Sequence, residues 1–121
     1  MKRTIPLLVL VALILTTAAC GGSTPVPKPD IFITYEVSGT TDKASLTYEN
    51  KDGNSEQKTV RLPWRFSFEA EPGTFLYVSA QNEGESGSVT CKISESNLVK
   101  EKATSEGAYV IATCSRTAGE D

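Results

Sequence analysis

The sequence predicts an all-β protein: an immunoglobulin-like β-sandwich of about seven to eight short antiparallel strands, behind a signal peptide and a Pro-rich linker. Three observations carry this. Beyond residue 30 apolar residues recur at every second position, and Gly, Pro, Asn and Asp punctuate the chain at spacings of about ten residues. No stretch after the leader has a helical period. The 121 residues include 12 Lys+Arg, 15 Asp+Glu, three Cys, one Trp and no His, which suits one domain. The missing histidine removes Ser-His-Asp and Cys-His nucleophile pairs, His proton shuttles and His-bearing zinc sites. With 39% hydrophobic and 22% charged residues the chain has the composition of a folded globular domain.

Residues 1–19 read as a lipoprotein signal peptide. Lys2 and Arg3 precede an apolar run from Ile5 to Leu15, and Thr16 to Ala19 lead into Cys20. The run is about half the roughly 20 residues that a membrane-spanning helix needs, and Pro6 shortens it. Thr17-Ala18-Ala19-Cys20 resembles a lipobox, with Thr17 where Leu is usual. Cys20 is therefore the expected lipidation site, its palmitate-type acyl chains anchoring the chain in membrane lipid. The alternative is a simple secretory signal cut near Ala19, leaving Cys20 as an odd thiol. Cleavage removes Lys2 and Arg3 and no acidic residue, so the exported part is more acidic than the whole chain, whose net charge is -3. Binding to nucleic acid is disfavoured.

Residues 20–30 form the lipidated Cys and a Pro/Gly-rich linker. The prolines at 25, 27 and 29 give it extended, polyproline-like character, able to hold a domain up to roughly 30 Å from the lipid surface.

The strands follow in order. Ile31, Ile33, Tyr35 and Val37 alternate with Phe32, Thr34, Glu36 and Ser38; Ala44, Leu46 and Tyr48 alternate with Ser45, Thr47 and Glu49. Asp52-Gly53 predicts a type I′ hairpin turn, positive φ at both positions, leading into a strand over about 56–62. Pro63 stops that ladder. Trp64, Phe66, Phe68 and Ala70 share one face of what reads as the heaviest core strand, closed by Pro72-Gly73. Leu76, Val78 and Ala80 face in from 74–81, and Glu83 to Gly87 is a polar connection. Val89, Cys91 and Ile93 form the next inward row. Ser96-Asn97 then separates it from a short Lys-rich strand over 98–102, suited to a sheet edge. The last strand spans about 109–114.

Cys91 and Cys114 lie in predicted strands, in phase with apolar neighbours, in an exported and oxidising context. A disulfide is the expected state, and two separate buried thiols the alternative. It would close a loop of roughly two dozen residues, worth about 3 kcal/mol in the chain-entropy model. Neither has the CxxC spacing of a redox or zinc site, so no metal and no cofactor is expected. Two carboxylate pairs, Glu69 with Glu71 and Glu83 with Glu85, invite an acid–base reading, but acidic residues in polar loops and on solvent faces are ordinary. Asp42, Glu49 and Asp52 lack calcium-loop spacing. No catalytic residue is assigned, and the chain is not expected to be an enzyme. Trp64 beside Arg65, with Tyr35, Tyr48 and Tyr77, forms either a surface platform for a lipid or glycan or part of the core, and the core is the expectation.

In that order Thr34 to Gly39, Leu46 to Gly53, Leu62-Pro63-Trp64, Ser79 to Asn82, Cys91-Lys92-Ile93 and Tyr109 to Cys114 resemble the extracytoplasmic domain of the MmpS family. These are small actinobacterial membrane proteins. The most distinctive piece is Leu-Pro-Trp after a hairpin, followed by a late Cys pair. The resemblance implies an MmpS-like β-sandwich over 31–115 with a C-terminal tail over 116–121. It also implies a transport accessory role beside MmpL transporters of the resistance-nodulation-division superfamily, which export lipids or siderophores. One feature departs from the family: its members carry an uncleaved membrane helix, whereas this leader has the form of a cleaved lipoprotein signal. The expected protein is thus a lipid-anchored interaction module of the cell envelope, on the outer face of the cell membrane or as a periplasmic or outer-membrane lipoprotein. Its expected partner is an MmpL-like transporter or another envelope protein. The alternative is a surface lipoprotein that binds a small hydrophobic ligand or glycan, through residues the sequence does not identify.

Overall fold

The computed structural model describes residues 26–120. The signal peptide and Cys20 lie outside the described residues. Eight strands follow one another: β1 Ile31–Gly39, β2 Lys43–Glu49, β3 Ser55–Arg61, β4 Trp64–Ala70, β5 Phe75–Asn82, β6 Ser88–Glu95, β7 Leu98–Glu106 and β8 Ile111–Thr117. They pair antiparallel in two four-stranded sheets of order β4-β1-β6-β7 and β3-β2-β5-β8. Only the β2–β3 and β6–β7 hairpins stay within a sheet; every other connection crosses between the layers. The architecture is the expected β-sandwich, though its strand order differs from that of an antibody domain.

Alternation builds the core. Ile33, Tyr35 and Val37 of β1, Val89, Cys91 and Ile93 of β6, Ala44, Leu46 and Tyr48 of β2, Leu76, Val78 and Ala80 of β5, and Ala112 and Cys114 of β8 are all buried. Each buried Val, Leu or Ile contributes about 1.5–3 kcal/mol, and a one-residue slip in any strand would turn its row outward. Gly39 sits opposite Val89, and a Cβ there would stand 2.1 Å from the Ser88 carbonyl oxygen, so only glycine lets β1 lie this close to β6.

The turns depart from expectation. At the β2–β3 hairpin Gly53 has positive φ (79°) but Asp52 does not. The Gly53 amide donates to the Asn50 carbonyl (3.1 Å) and the Asn50 amide to that of Asn54 (2.9 Å), which makes a type I turn closed by a left-handed glycine rather than a type I′ turn. Asn50 decides this: its Oδ1 accepts from the amides of Asp52 (2.9 Å) and Asn54 (3.1 Å), holding a three-residue loop. The paired positive φ values belong instead to Ser96 (50°) and Asn97 (67°) at the β6–β7 turn. The Leu62-Pro63 bond between β3 and β4 is cis.

Two strand bounds also shift. β7 runs to Glu106 rather than 102, with a bulge opposite Ile93/Ser94, because Thr104 and Ser105 continue the ladder beside Thr90 and Val89. β8 begins at Ile111, since Tyr109 has φ 53° and lies in the preceding turn, and it continues to Thr117. Buried Ala118 donates its amide to Thr74 O (2.8 Å) and accepts from Gly73 N (2.8 Å), so residues 116–118 belong to the domain rather than to a tail.

Candidate interaction surface

The two sheets are not evenly spaced. They meet along β5, β6, β7 and β8, where Cys91 of β6 is joined to Cys114 of β8 with a Cα–Cα distance of 6.1 Å, and they splay apart toward β3 and β4. Ser105 Oγ donates to Ile111 O (2.7 Å) and helps shut the β7–β8 side. The β3–β4 side is the open one.

Aromatic rings fill the opening. Trp64, Phe66 and Phe68 point inward from β4 but are only half-buried. Trp64 stacks on Phe66 (6.1 Å, 5° between planes) and packs on buried Tyr48 (5.2 Å); Phe68 meets buried Tyr35 edge-on (5.2 Å, 71°). The strand expected to be the heaviest in the core is thus a sheet edge, and Trp64 is neither fully core nor a free platform. Register explains this. β3 pairs with β2 so that Glu56, Lys58 and Val60 lie opposite Tyr48, Leu46 and Ala44, so the strand facing β4 offers two charged side chains and one valine as cover. Lys58 Nζ rests over the rings of Tyr48 (5.4 Å) and Trp64 (5.8 Å), a cation–π lid on the open edge. The same-phase residues Glu56 and Lys58 were the sequence signal for this edge, but they acquire that meaning only once β3 is known to be outermost.

Tyr35 locks the wedge from inside. Its hydroxyl donates to Glu49 O (2.8 Å) and accepts from Tyr77 N (3.2 Å), reaching from β1 into the other sheet. The β2–β5 ladder ends at Tyr48–Val78, so these two backbone groups would otherwise be orphans. Burial pushes the Tyr35 phenol up to about 12, the Tyr77 amide opposing this and the Glu49 charge adding to it.

Two concavities border the open edge. One, of about 560 Å³, opens to solvent below Phe68 and Ala70, with Asp30, Asp52, Glu69 and Glu71 on its rim beside Lys51. The other, of about 310 Å³, lies around Pro63, Trp64 and Arg65. Glu69 and Glu71 therefore do share one rim, both exposed, whereas Glu83 and Glu85 sit in the β5–β6 loop at the other end of the strands. No group of three His, Cys, Asp or Glu side chains among the described residues is placed to hold a metal ion. Tyr77 lies on the outer face of the second sheet, stacked on Phe75 (6.2 Å), and is not part of the aromatic row.

A buried ion pair had no signature in the sequence pattern. Glu95 of β6 and Arg116 of β8 point inward and meet at 2.5 Å (Oε2 to Nε), almost wholly buried, while Glu95 Oε1 accepts from Gly119 N (2.7 Å).

A family model described as Mycobacterium membrane protein matches residues 22–118. The chain belongs to this family, which is of the MmpS type. A search of curated proteins finds no match. Among the described residues of this Mycobacterium membrane protein domain no helix is long and apolar enough to cross a membrane, and the family match begins just after Cys20. Family membership fits a membrane-associated role in the cell envelope.

Proposed function

We propose that the protein is a non-catalytic accessory module held on the extracytoplasmic side of the membrane by acylated Cys20, serving an MmpL-like exporter. The family match over residues 22–118 carries this reading. A closed disulfide-linked side and an open aromatic edge add support, because a rigid sandwich with one under-covered face suits docking better than chemistry. The alternative, a carrier of a small hydrophobic ligand, calls for an enclosed apolar pocket. The larger concavity is instead open and rimmed by four carboxylates.

Crosslinking in intact membranes, followed by purification of the acylated chain, tests the proposal. An exporter component is expected in the product; recovery of none overturns the accessory role. Replacing Cys20→Ser is expected to abolish acyl labelling and to release the protein from membranes. Unchanged labelling would overturn the anchor.

A further inference from the structure

Two open sheets expose four outer strands, and an outer strand is a template for another chain unless something blunts it. Three of the four are blunted. β7 carries a bulge and the side chains of Lys100 and Lys102. β8 turns Arg116 inward and has β7 bonded alongside through Ser105. β3 turns Glu56 and Lys58 inward. β4 has neither a bulge nor an inward charge: Trp64–Ala70 pairs with β1 in unbroken register, contains no proline, its inward row is wholly apolar, and its charged side chains, Arg65 and Glu69, are of opposite sign and lie on the outer face.

The order of residues in β4 says what it fits. About a two-fold axis through Ser67, an antiparallel partner strand of the same sequence sets Arg65 opposite the second copy's Glu69, and Glu69 opposite the second copy's Arg65, on the outer face. On the inner face it sets Phe66 opposite Phe68, and bulky Trp64 opposite small Ala70. A shift of two residues either way loses both of these pairs and shortens the overlap. Glu69 has no cation within 4.0 Å among the described residues, and Arg65, 62% exposed, holds Glu36 only loosely at 3.6 Å.

We propose that two copies of this chain dimerise by antiparallel pairing of β4 with β4, Ser67 on the axis. The interface is isologous and closes on itself, joining two four-stranded sheets into one of eight strands. It also brings the two half-buried aromatic rows together. Ile31 stands opposite Ala70, so the two linkers leave from opposite ends of the joined sheet. Where both copies are anchored in one leaflet, the axis runs along the membrane normal and the sheet lies flat. The dimer occupies the aromatic edge itself, so an envelope partner would meet the joined sheet rather than a free β4.

The test uses the full chain purified from membranes. Sedimentation is expected to show a dimer. Arg65→Glu and Glu69→Arg each set like charges face to face at both pairs and are expected to weaken it about tenfold or more. Mixing the two single variants restores every pair as a heterodimer, which no folding defect would do. In cells Ser67→Cys is expected to crosslink to itself above the level of the parent chain. Arg65→Cys and Glu69→Cys should not, because identical residues away from the axis stand about 13 Å apart. A monomer at every concentration, failure of the mixture to dimerise, or equal crosslinking at all three positions would each overturn the proposal.

Discussion

The hydroxyl of Tyr35 donates to the carbonyl of Glu49 across the sandwich at 2.8 Å, standing in for a ladder bond that the second sheet does not make. With Tyr77 N on its other side, one phenol satisfies two backbone groups. Removing it in Tyr35→Phe strands both at nearly unchanged volume. The expected loss is about 1–3 kcal/mol. In urea titration it should appear as a lower midpoint with unchanged slope.

The same residue gives an alkaline limit. In the unfolded chain a tyrosine ionises near pH 10; in the fold Tyr35 holds its proton up to about 12. Between those values the unfolded state sheds a proton that the native state keeps. The contribution is therefore full below about pH 10 and is lost as the pH rises through about 12, a fall of about 2–3 kcal/mol. Stability measured across this range should drop more steeply in the parent than in Tyr35→Phe; parallel curves would contradict the assignment.

Glu95 and Arg116 join the two sheets near the ends of β6 and β8. Taking one away leaves a buried charge without its counterion. Glu95→Gln or Arg116→Met is expected to cost about 3–5 kcal/mol, and replacing both by apolar residues much less. A double-mutant cycle on thermal or denaturant unfolding measures the difference.

Asn82 is fully buried on β5. Its Nδ2 donates to Ser86 O and Gly107 O, both at 2.9 Å, and its Oδ1 accepts from Gly84 N (2.8 Å), so one amide ties the β5–β6 loop to the β7–β8 loop. Asn82→Ala unpairs all three groups and should cost about 2–4 kcal/mol. Hydrogen exchange is expected to speed up first in residues 83–87 and 107–110, ahead of β1 and β6.

The strands, and the face of each that turns inward, were legible in the residue pattern alone. Side-chain direction alternates residue by residue, so Ile33-Tyr35-Val37 or Val89-Cys91-Ile93 declare a buried row without reference to any partner. The disulfide partners were legible for the same reason, both being in phase with such rows. Strand order was not legible there, because pairing joins residues far apart in the chain and is set when the two layers assemble. With the order came what depends on it: β4 as an edge rather than a central strand, Lys58 as its lid, Tyr35 reaching the end of another ladder, and Glu95 meeting Arg116. Turn type fell between the two levels. Asp52-Gly53 and Ser96-Asn97 are both turn sequences, and the local hydrogen bonds of Asn50, together with the register each hairpin had to keep, chose which took the two positive φ values.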